Sequence, residues 1–260
     1  MGPDPTMSVR TIVLHYTGNA LITLIVTSKG EGVKMPQARR PYRSTLREEQ
    51  ARATRRAVVS AARDLFVELG WSRTTIDAVA ARAGVSRKTV FASVGGKAAL
   101  LKLALDWALV GDDEPVPMSG RQVIAEMEQL TDPRALVARW ARFVAELEER
   151  AAPLAEVLVV AADADAEAAE VHAVSERNRL RGAEFIVARL TETHGLRPGL
   201  TTERAVAAAL VLMDPAVHRT LVREHRWTST EYADWIERSA VAEFVRAGTA
   251  QGTTRPRDKR

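Results

Sequence analysis

Thr74-Thr75-Ile76-Asp77-Ala78-Val79-Ala80-Ala81-Arg82-Ala83-Gly84-Val85-Ser86-Arg87-Lys88-Thr89-Val90-Phe91-Ala92-Ser93-Val94 reads as two short helices around one tight turn, Ala83 to Ser86. Thr74 stands where a hydroxyl caps a helix, and Asp77, three positions on, supplies the carboxylate of a reciprocal cap. Ile76, Val79, Ala80 and Ala83 recur at helical spacing on one face, and Ala80 is small enough for a second helix to cross close by. Gly84 accepts the left-handed conformation that ends a helix, and Ser86 caps the next one. Val90 then points back into the angle between the helices. That leaves Arg87, Lys88, Thr89 and Phe91 on the outward face, two cations and a hydroxyl where a DNA major groove would lie. A helical hairpin without a nucleic acid partner uses the same caps and the same glycine turn.

Charge separates the two possibilities. The chain has 260 residues, 46% hydrophobic and 27% charged, enough for one substantial core or two modest ones. Its formal net charge of +4 says little about partners, but the distribution does. Between Pro36 and Lys102 fourteen Lys or Arg stand against five Asp or Glu; between Leu103 and Thr254 sixteen stand against twenty-five. A basic module carrying the helix-turn-helix precedes an acidic one, and the basic charge supplies sequence-independent attraction to phosphates. The absence of cysteine excludes a disulfide scaffold and a thiolate metal site.

Helical periodicity runs through nearly all of the rest. Val58, Ala61, Ala62, Leu65, Phe66 and Leu69 form the stripe of a long first helix ended by Gly70, with Arg52, Arg55 and Arg56 on its N-terminal part, either along a phosphate backbone or on a solvated face. Lys97 to Val110 forms a helix behind Gly95-Gly96, and the acidic, proline-broken stretch Asp112 to Met118 follows. Leu136, Trp140, Phe143, Val144 and Leu147 repeat the stripe. Leu154–Ala162, Glu167–Thr193, Thr201–Met213 and Thr230–Ala247 add four helices, with breaks at Pro153, Gly195, Pro198, Gly199 and Pro215. No run of alternating strand residues follows Met35, so the fold class is all-α.

The apolar run Ala20 to Val26 is too short to span a bilayer and lacks a cleavage pattern, which argues against a membrane or secretory segment. Met35-Pro36-Gln37-Ala38-Arg39-Arg40 is a basic start of the kind that precedes a DNA-binding helix. The residues before it are read either as a leader upstream of a true start at Met35 or as an extension. The expected organisation is a leader or basic arm over 1–45, a three-helix helix-turn-helix domain over 46–102, a helical domain over 103–250 and a disordered tail over 251–260.

Gly70, Thr74-Thr75-Ile76, Val79-Ala80, Ala83-Gly84-Val85-Ser86, Thr89-Val90-Phe91 and Lys97 together resemble the N-terminal signature of the TetR family of transcriptional regulators, over roughly Ala57 to Leu101. The resemblance implies a homodimer with one recognition helix per subunit, double-stranded operator DNA as partner, and a small-molecule effector bound inside the second domain. It implies that Ser86 to Phe91 is the recognition helix, with Arg87, Lys88 and Thr89 contacting bases or phosphates. Thr74, Thr75 and Lys97 would touch backbone phosphate. The family usually has a Tyr, any residue, a His or Tyr and then Phe where this chain has Phe91, Ala92, Ser93 and Val94. Two common phosphate donors are therefore replaced, and Ser93 can stand in for one. Affinity then leans on Arg87, Lys88 and the basic arm.

In the second domain Trp107, Trp140, Phe143, Phe185 and Met213 are candidates to line an apolar effector pocket, or plain core, and Asn178 is a candidate to orient a ligand. Ala205, Ala207, Ala208 and Ala209, with the stripe Tyr232, Trp235, Ile236, Ala240 and Phe244, suit either a dimeric four-helix interface or burial within one subunit; the dimer is the expectation. His172 and Glu176 lie one turn apart, with Asp163, Asp165 and Glu167 upstream, but acidic residues at a helix start stabilise its dipole without any metal. No serine elbow, phosphate loop or dinucleotide fingerprint is present, so no enzyme, cofactor or metal is expected. The function expected is a ligand-responsive, sequence-specific DNA-binding regulator in the cytoplasm, a repressor acting as a dimer on a palindrome, with no membrane partner. A helical interaction module without DNA binding and a metal-dependent hydrolase are the alternatives.

Overall fold

The structure, a computed structural model, describes residues 42–246, and no strand occurs among them. Ten helices follow in order: α1 Tyr42–Arg73, α2 Ile76–Ala83, α3 Arg87–Ser93, α4 Lys97–Val110, α5 Gln122–Gln129, α6 Pro133–Ala164, α7 Ala166–Thr193, α8 Thr202–Leu212, α9 Pro215–His218 and α10 Ser229–Phe244. One 3₁₀ turn, Met118–Gly120, precedes α5, and a π-helical stretch, Arg219–Glu224, continues from α9. The leader, the run Ala20 to Val26, the arm at Met35 to Arg40 and the tail Gln251 to Arg260 lie outside the described residues.

Two apolar cores hold the helices. The first gathers Val58, Ala62 and Phe66 of α1, Val79 of α2, Val90 of α3 and Leu100 and Leu101 of α4, all fully buried. At Gly70 the backbone turns out of helical geometry (φ 74°), and Trp71 folds back so that its ring stacks on Phe66 at 5.9 Å. The first core is closed by Leu154, Leu158 and Ala161 of α6 and Ala168 of α7. The second contains Leu136, Trp140 and Val144 of α6, Ile186 and Leu190 of α7, Ala205 and Ala209 of α8, and Tyr232, Ile236 and Phe244 of α10. The hand-over from one core to the other therefore runs along α6, between Ala145 and Ala151, while α4 passes unbroken through the charge boundary at Lys102.

One expectation about the elements is corrected. Pro153 does not break a helix: α6 runs 32 residues through it. An internal proline costs a hydrogen bond and a steric clash, but Ala151, Ala152 and Leu154 on either side are at most 2% exposed, and that packing holds the helix together. α5 carries no apolar stripe in the sequence, its buried face being Ile124 and Met127 alone. Of the residues expected at a dimer interface, Tyr232, Ile236, Ala240, Phe244, Ala205 and Ala209 are buried within one subunit, whereas Ala208 and Trp235 are half-buried and Ala207 is exposed.

No single described helix is long and apolar enough to cross a membrane; only α8 with the following segment to Glu224, bent by 42°, passes by length and composition. No group of three or more His, Asp or Glu among the described residues is placed to hold a metal. Asp165 instead accepts from the Ala168 N–H to cap α7, and Glu176 pairs with Arg179.

Candidate functional site

The helix-turn-helix is assembled by side-chain-to-backbone hydrogen bonds. The cap of α2 is Thr75, whose Oγ1 accepts from the Ala78 N–H at 3.1 Å. This corrects the assignment to Thr74. Thr74 is 1% exposed, and its hydroxyl turns inward to the carbonyls of Leu65 (3.0 Å) and Gly70 (2.8 Å). Its single proton is shared between these two α1 carbonyls, and turned inward it is not presented to a phosphate. Gly84 takes the left-handed conformation (φ 67°), and the Val85 N–H reaches back to the Ala80 carbonyl at 3.0 Å. Ser86 Oγ accepts from the Thr89 N–H at 3.1 Å and lies 2.8 Å from Thr89 Oγ1. Val90 is fully buried between the helices.

With Val90 inward, the rest of α3 faces out. Arg87 donates to Asp77 at 2.7 Å, and its guanidinium lies 5.6 Å from the ring of Phe91, which is 46% exposed. Lys88 is exposed and makes no ion pair within the described residues. Ser93 donates into its own helix, to the Val90 carbonyl at 3.0 Å. Lys97, the first residue of α4, holds its ammonium 4.1 Å from the centre of the Trp71 ring, and burial lowers its pKa. Along α1, Arg55 is exposed, whereas Arg52 and Arg56 both grip Asp113 in the loop after α4, at 2.9 and 2.6 Å. The two guanidiniums, Arg56 foremost, hold the Asp113 carboxyl well below the usual carboxylate range. Of the three arginines, only Arg55 makes no ion pair within the described residues.

Four of the residues expected around an effector share the second core: Trp140 is 1% and Met213 8% exposed, with Phe143 and Phe185 half-buried against that core. Trp107 belongs to the first core and lines a groove of about 620 Å³ with Val59, Val67, Ala108 and Arg150. Asn178 is exposed and accepts from Arg181, so solvent covers it and it is not in the core.

Three other residues stand out in the second core. Glu148 and His218 are each 4% exposed and Tyr232 is fully buried. Burial pushes the Glu148 carboxyl up to about 8, with Arg179 opposing and Asp214 adding to the rise. Burial also lowers the His218 pKa and raises that of Tyr232. One signal for them was present in the sequence: Glu148 falls on the apolar stripe of Val144, Ala151 and Ala152, where an acid is out of place. His218 carries no such mark, because its burial depends on how α9 docks on α6.

A sequence profile described as "Bacterial regulatory proteins, tetR family" matches residues 58–104. A comparison with curated proteins returns no match. Among solved structures, native NalD, the secondary repressor of the MexAB-OprM multidrug efflux pump in Pseudomonas aeruginosa, is similar at 18% identity and a TM-score of 0.57, covering 75% of this chain and 97% of that one. The Bacillus subtilis regulator FadR, in complex with stearoyl-CoA, is similar at 13% identity and a TM-score of 0.57, covering 72% of this chain and 97% of FadR. SmeT, the repressor of the Stenotrophomonas maltophilia pump SmeDEF, gives 20% identity and a TM-score of 0.51, covering 75% and 91%. The helix-turn-helix module thus matches the tetR family of bacterial regulatory proteins over residues 58–104, and the fold is shared over about three-quarters of the sequence with NalD, FadR and SmeT.

Proposed function

We propose that the chain is a ligand-responsive transcriptional regulator that binds a palindromic operator as a homodimer and represses, without enzymatic activity, in the cytoplasm. The observation that carries this reading is α3: a buried Val90 anchors a helix whose Arg87, Lys88 and Phe91 are exposed. Such a helix presents donors and an apolar face at the width of a major groove. Ser86, Arg87, Thr89 and Phe91 are assigned to the groove and Arg55, Thr75, Lys88 and Lys97 to phosphates, while Ser93, whose proton goes to the Val90 carbonyl, is left without a phosphate to donate to. Thr75 suits that role because its oxygen accepts the capping bond while its own proton stays free to donate. Binding of an effector in the acidic helical domain shifts the population toward a state with a different spacing of the two recognition helices, and so releases DNA.

With the α10 stripe buried, the outward apolar residues of α7 and α8 supply the dimer surface: Val174, Leu180 and Val211 are 40, 38 and 58% exposed. The test is retention of fragmented genomic DNA by the purified protein, followed by the double substitution Arg87→Ala and Lys88→Ala. A selectively retained duplex, lost by the variant, supports the reading. Retention equal in both removes Arg87 and Lys88 from DNA recognition, and no retention at all returns the chain to the class of helical interaction proteins that never meet DNA.

A further inference from the structure

The second core has one place where apolar packing gives way. Only Thr74, Glu148 and His218 are buried polar side chains among the described residues, and Thr74 is satisfied by its two carbonyls. Glu148 Oε2, His218 Nδ1 and Arg179 Nε have no hydrogen-bond partner within the described residues. Native cores seldom leave such atoms unpaired, and those that do are concentrated where something else completes them.

These groups belong to one neighbourhood. The charges of Arg179 and Asp214 both act on Glu148, and those of Glu148 and Asp214 act on Tyr232. The Tyr232 ring meets His218 edge-on at 5.2 Å and stacks on the half-buried Trp235 at 6.1 Å. Helices α6, α7, α9 and α10 thus bring an acid and three aromatic rings together. The charge balance there is negative: on the His218 side Glu149 faces Arg223, which is paired with Glu156 at 3.1 Å, and the Arg179 guanidinium is shared between Glu176 at 2.5 Å and Asp214 at 3.3 Å. Two carboxylates answer each cation before Glu148 is counted.

The backbone is irregular at the same point. His218 leads directly into the π-helical stretch Arg219–Glu224, and Arg226 is the one non-glycine residue with positive φ, 63°, among the described residues. Wide helical turns and left-handed non-glycine residues are tolerated chiefly where function requires them.

We infer that the Glu148–His218–Tyr232–Trp235 cluster is the polar centre of an effector site, and that its ligand is an organic cation. The inference rests on the regulator reading and names the ligand class for it. Without a cation, burial keeps the Glu148 carboxyl protonated; a cation in contact supplies the counter-charge that lets it ionise. Aromatic faces add attraction for a desolvated cation. An anion would meet Asp214 and Glu176, and both guanidiniums that act there are already engaged, Arg179 with those two carboxylates and Arg223 with Glu156. The segment from α9 through Glu224 is where the core opens to admit the ligand.

The test uses the full chain with tetraphenylphosphonium as a permanently charged probe and palmitate as its anionic counterpart. At a hundredfold excess over the dissociation constant, the cation is expected to raise the unfolding midpoint by about 5–10 °C and palmitate to leave it unchanged. Glu148→Gln is expected to weaken cation binding at least about tenfold, and Glu148→Asp, which keeps the charge, to recover part of it. Glu148→Gln removes a buried ionisable group, and its unliganded midpoint reports directly whether it folds. Equal cation binding by wild type and Glu148→Gln, or stabilisation by palmitate alone, overturns the inference. Salt-sensitive DNA binding measured on the same preparation separates the two levels: DNA bound but the cation inert leaves the regulator reading standing and removes the ligand class.

Discussion

Replacing Thr74 by valine separates a structural threonine from a DNA-contacting one. Valine matches threonine in shape, so the change removes one hydroxyl and adds one methyl with little steric effect. The hydroxyl is buried and bonded to the carbonyls of Leu65 and Gly70. Losing a buried hydrogen bond costs about 1 kcal/mol, and leaving an acceptor unsatisfied adds about 1–3 kcal/mol. The extra buried methyl returns roughly 0.8 kcal/mol. The net is a destabilisation of about 1–3 kcal/mol, which at about 2–4 °C per kcal/mol lowers the unfolding midpoint by about 2–12 °C. Calorimetry measures the midpoint, and fluorescence anisotropy with the retained duplex, well below it, measures affinity. Thr74→Val is expected to bind DNA within about twofold of wild type, whereas Thr75→Val, which removes an exposed cap and a free donor, loses both stability and affinity. A tenfold loss of affinity in Thr74→Val with an unchanged midpoint would refute the assignment.

Other substitutions report on other parts of the structure. Glu148 has a folded-state pKa raised above its unfolded value, so the folded protein holds more protons than the unfolded one between about pH 4.5 and 8. Stability from this group is therefore lost as pH rises through that window, by at most about 3–5 kcal/mol. Glu148→Gln removes the loss, so its midpoint should exceed that of wild type by a margin that grows from pH 5 to pH 8 in a buffer series; a constant margin contradicts the burial. Lys88→Ala and Phe91→Ala change stability by less than about 0.5 kcal/mol yet weaken binding to the retained duplex, while Val90→Ala lowers the midpoint by creating a cavity in the first core; loss of stability in all three would place α3 in the core rather than at DNA. Val211→Glu should yield monomers by sedimentation, with each subunit folded; an unchanged dimer removes α8 from the interface.

The parts that were legible in the sequence share a physical character. The Gly84 turn, the Ser86 cap, the buried Val90 and the whole of α4 depend on interactions a few residues apart, and each lies where the sequence places it. What escaped depends on packing between distant segments. Thr74 and Thr75 are equally good caps locally; the end of α1, nine residues back, decides which hydroxyl turns inward. Pro153 is a helix breaker in isolation and is overruled by neighbours buried against other helices. Arg52 and Arg56 look like phosphate ligands until the loop carrying Asp113 folds against them. The α8 and α10 stripes show periodicity without saying whether the apolar face meets its own chain or a copy of it. His218 became visible only once α9 had docked.

Salt dependence of duplex binding bears most directly on DNA recognition through α3. Counting Arg55, Lys88 and Lys97 in each subunit of a dimer gives six cations at phosphates, and the logarithm of affinity should then fall with the logarithm of salt with a slope of about −5. Lys88→Ala removes two of the six and should bring the slope to about −3.5 while the protein stays folded. A slope near zero in wild type, or one that Lys88→Ala leaves unchanged, would contradict it.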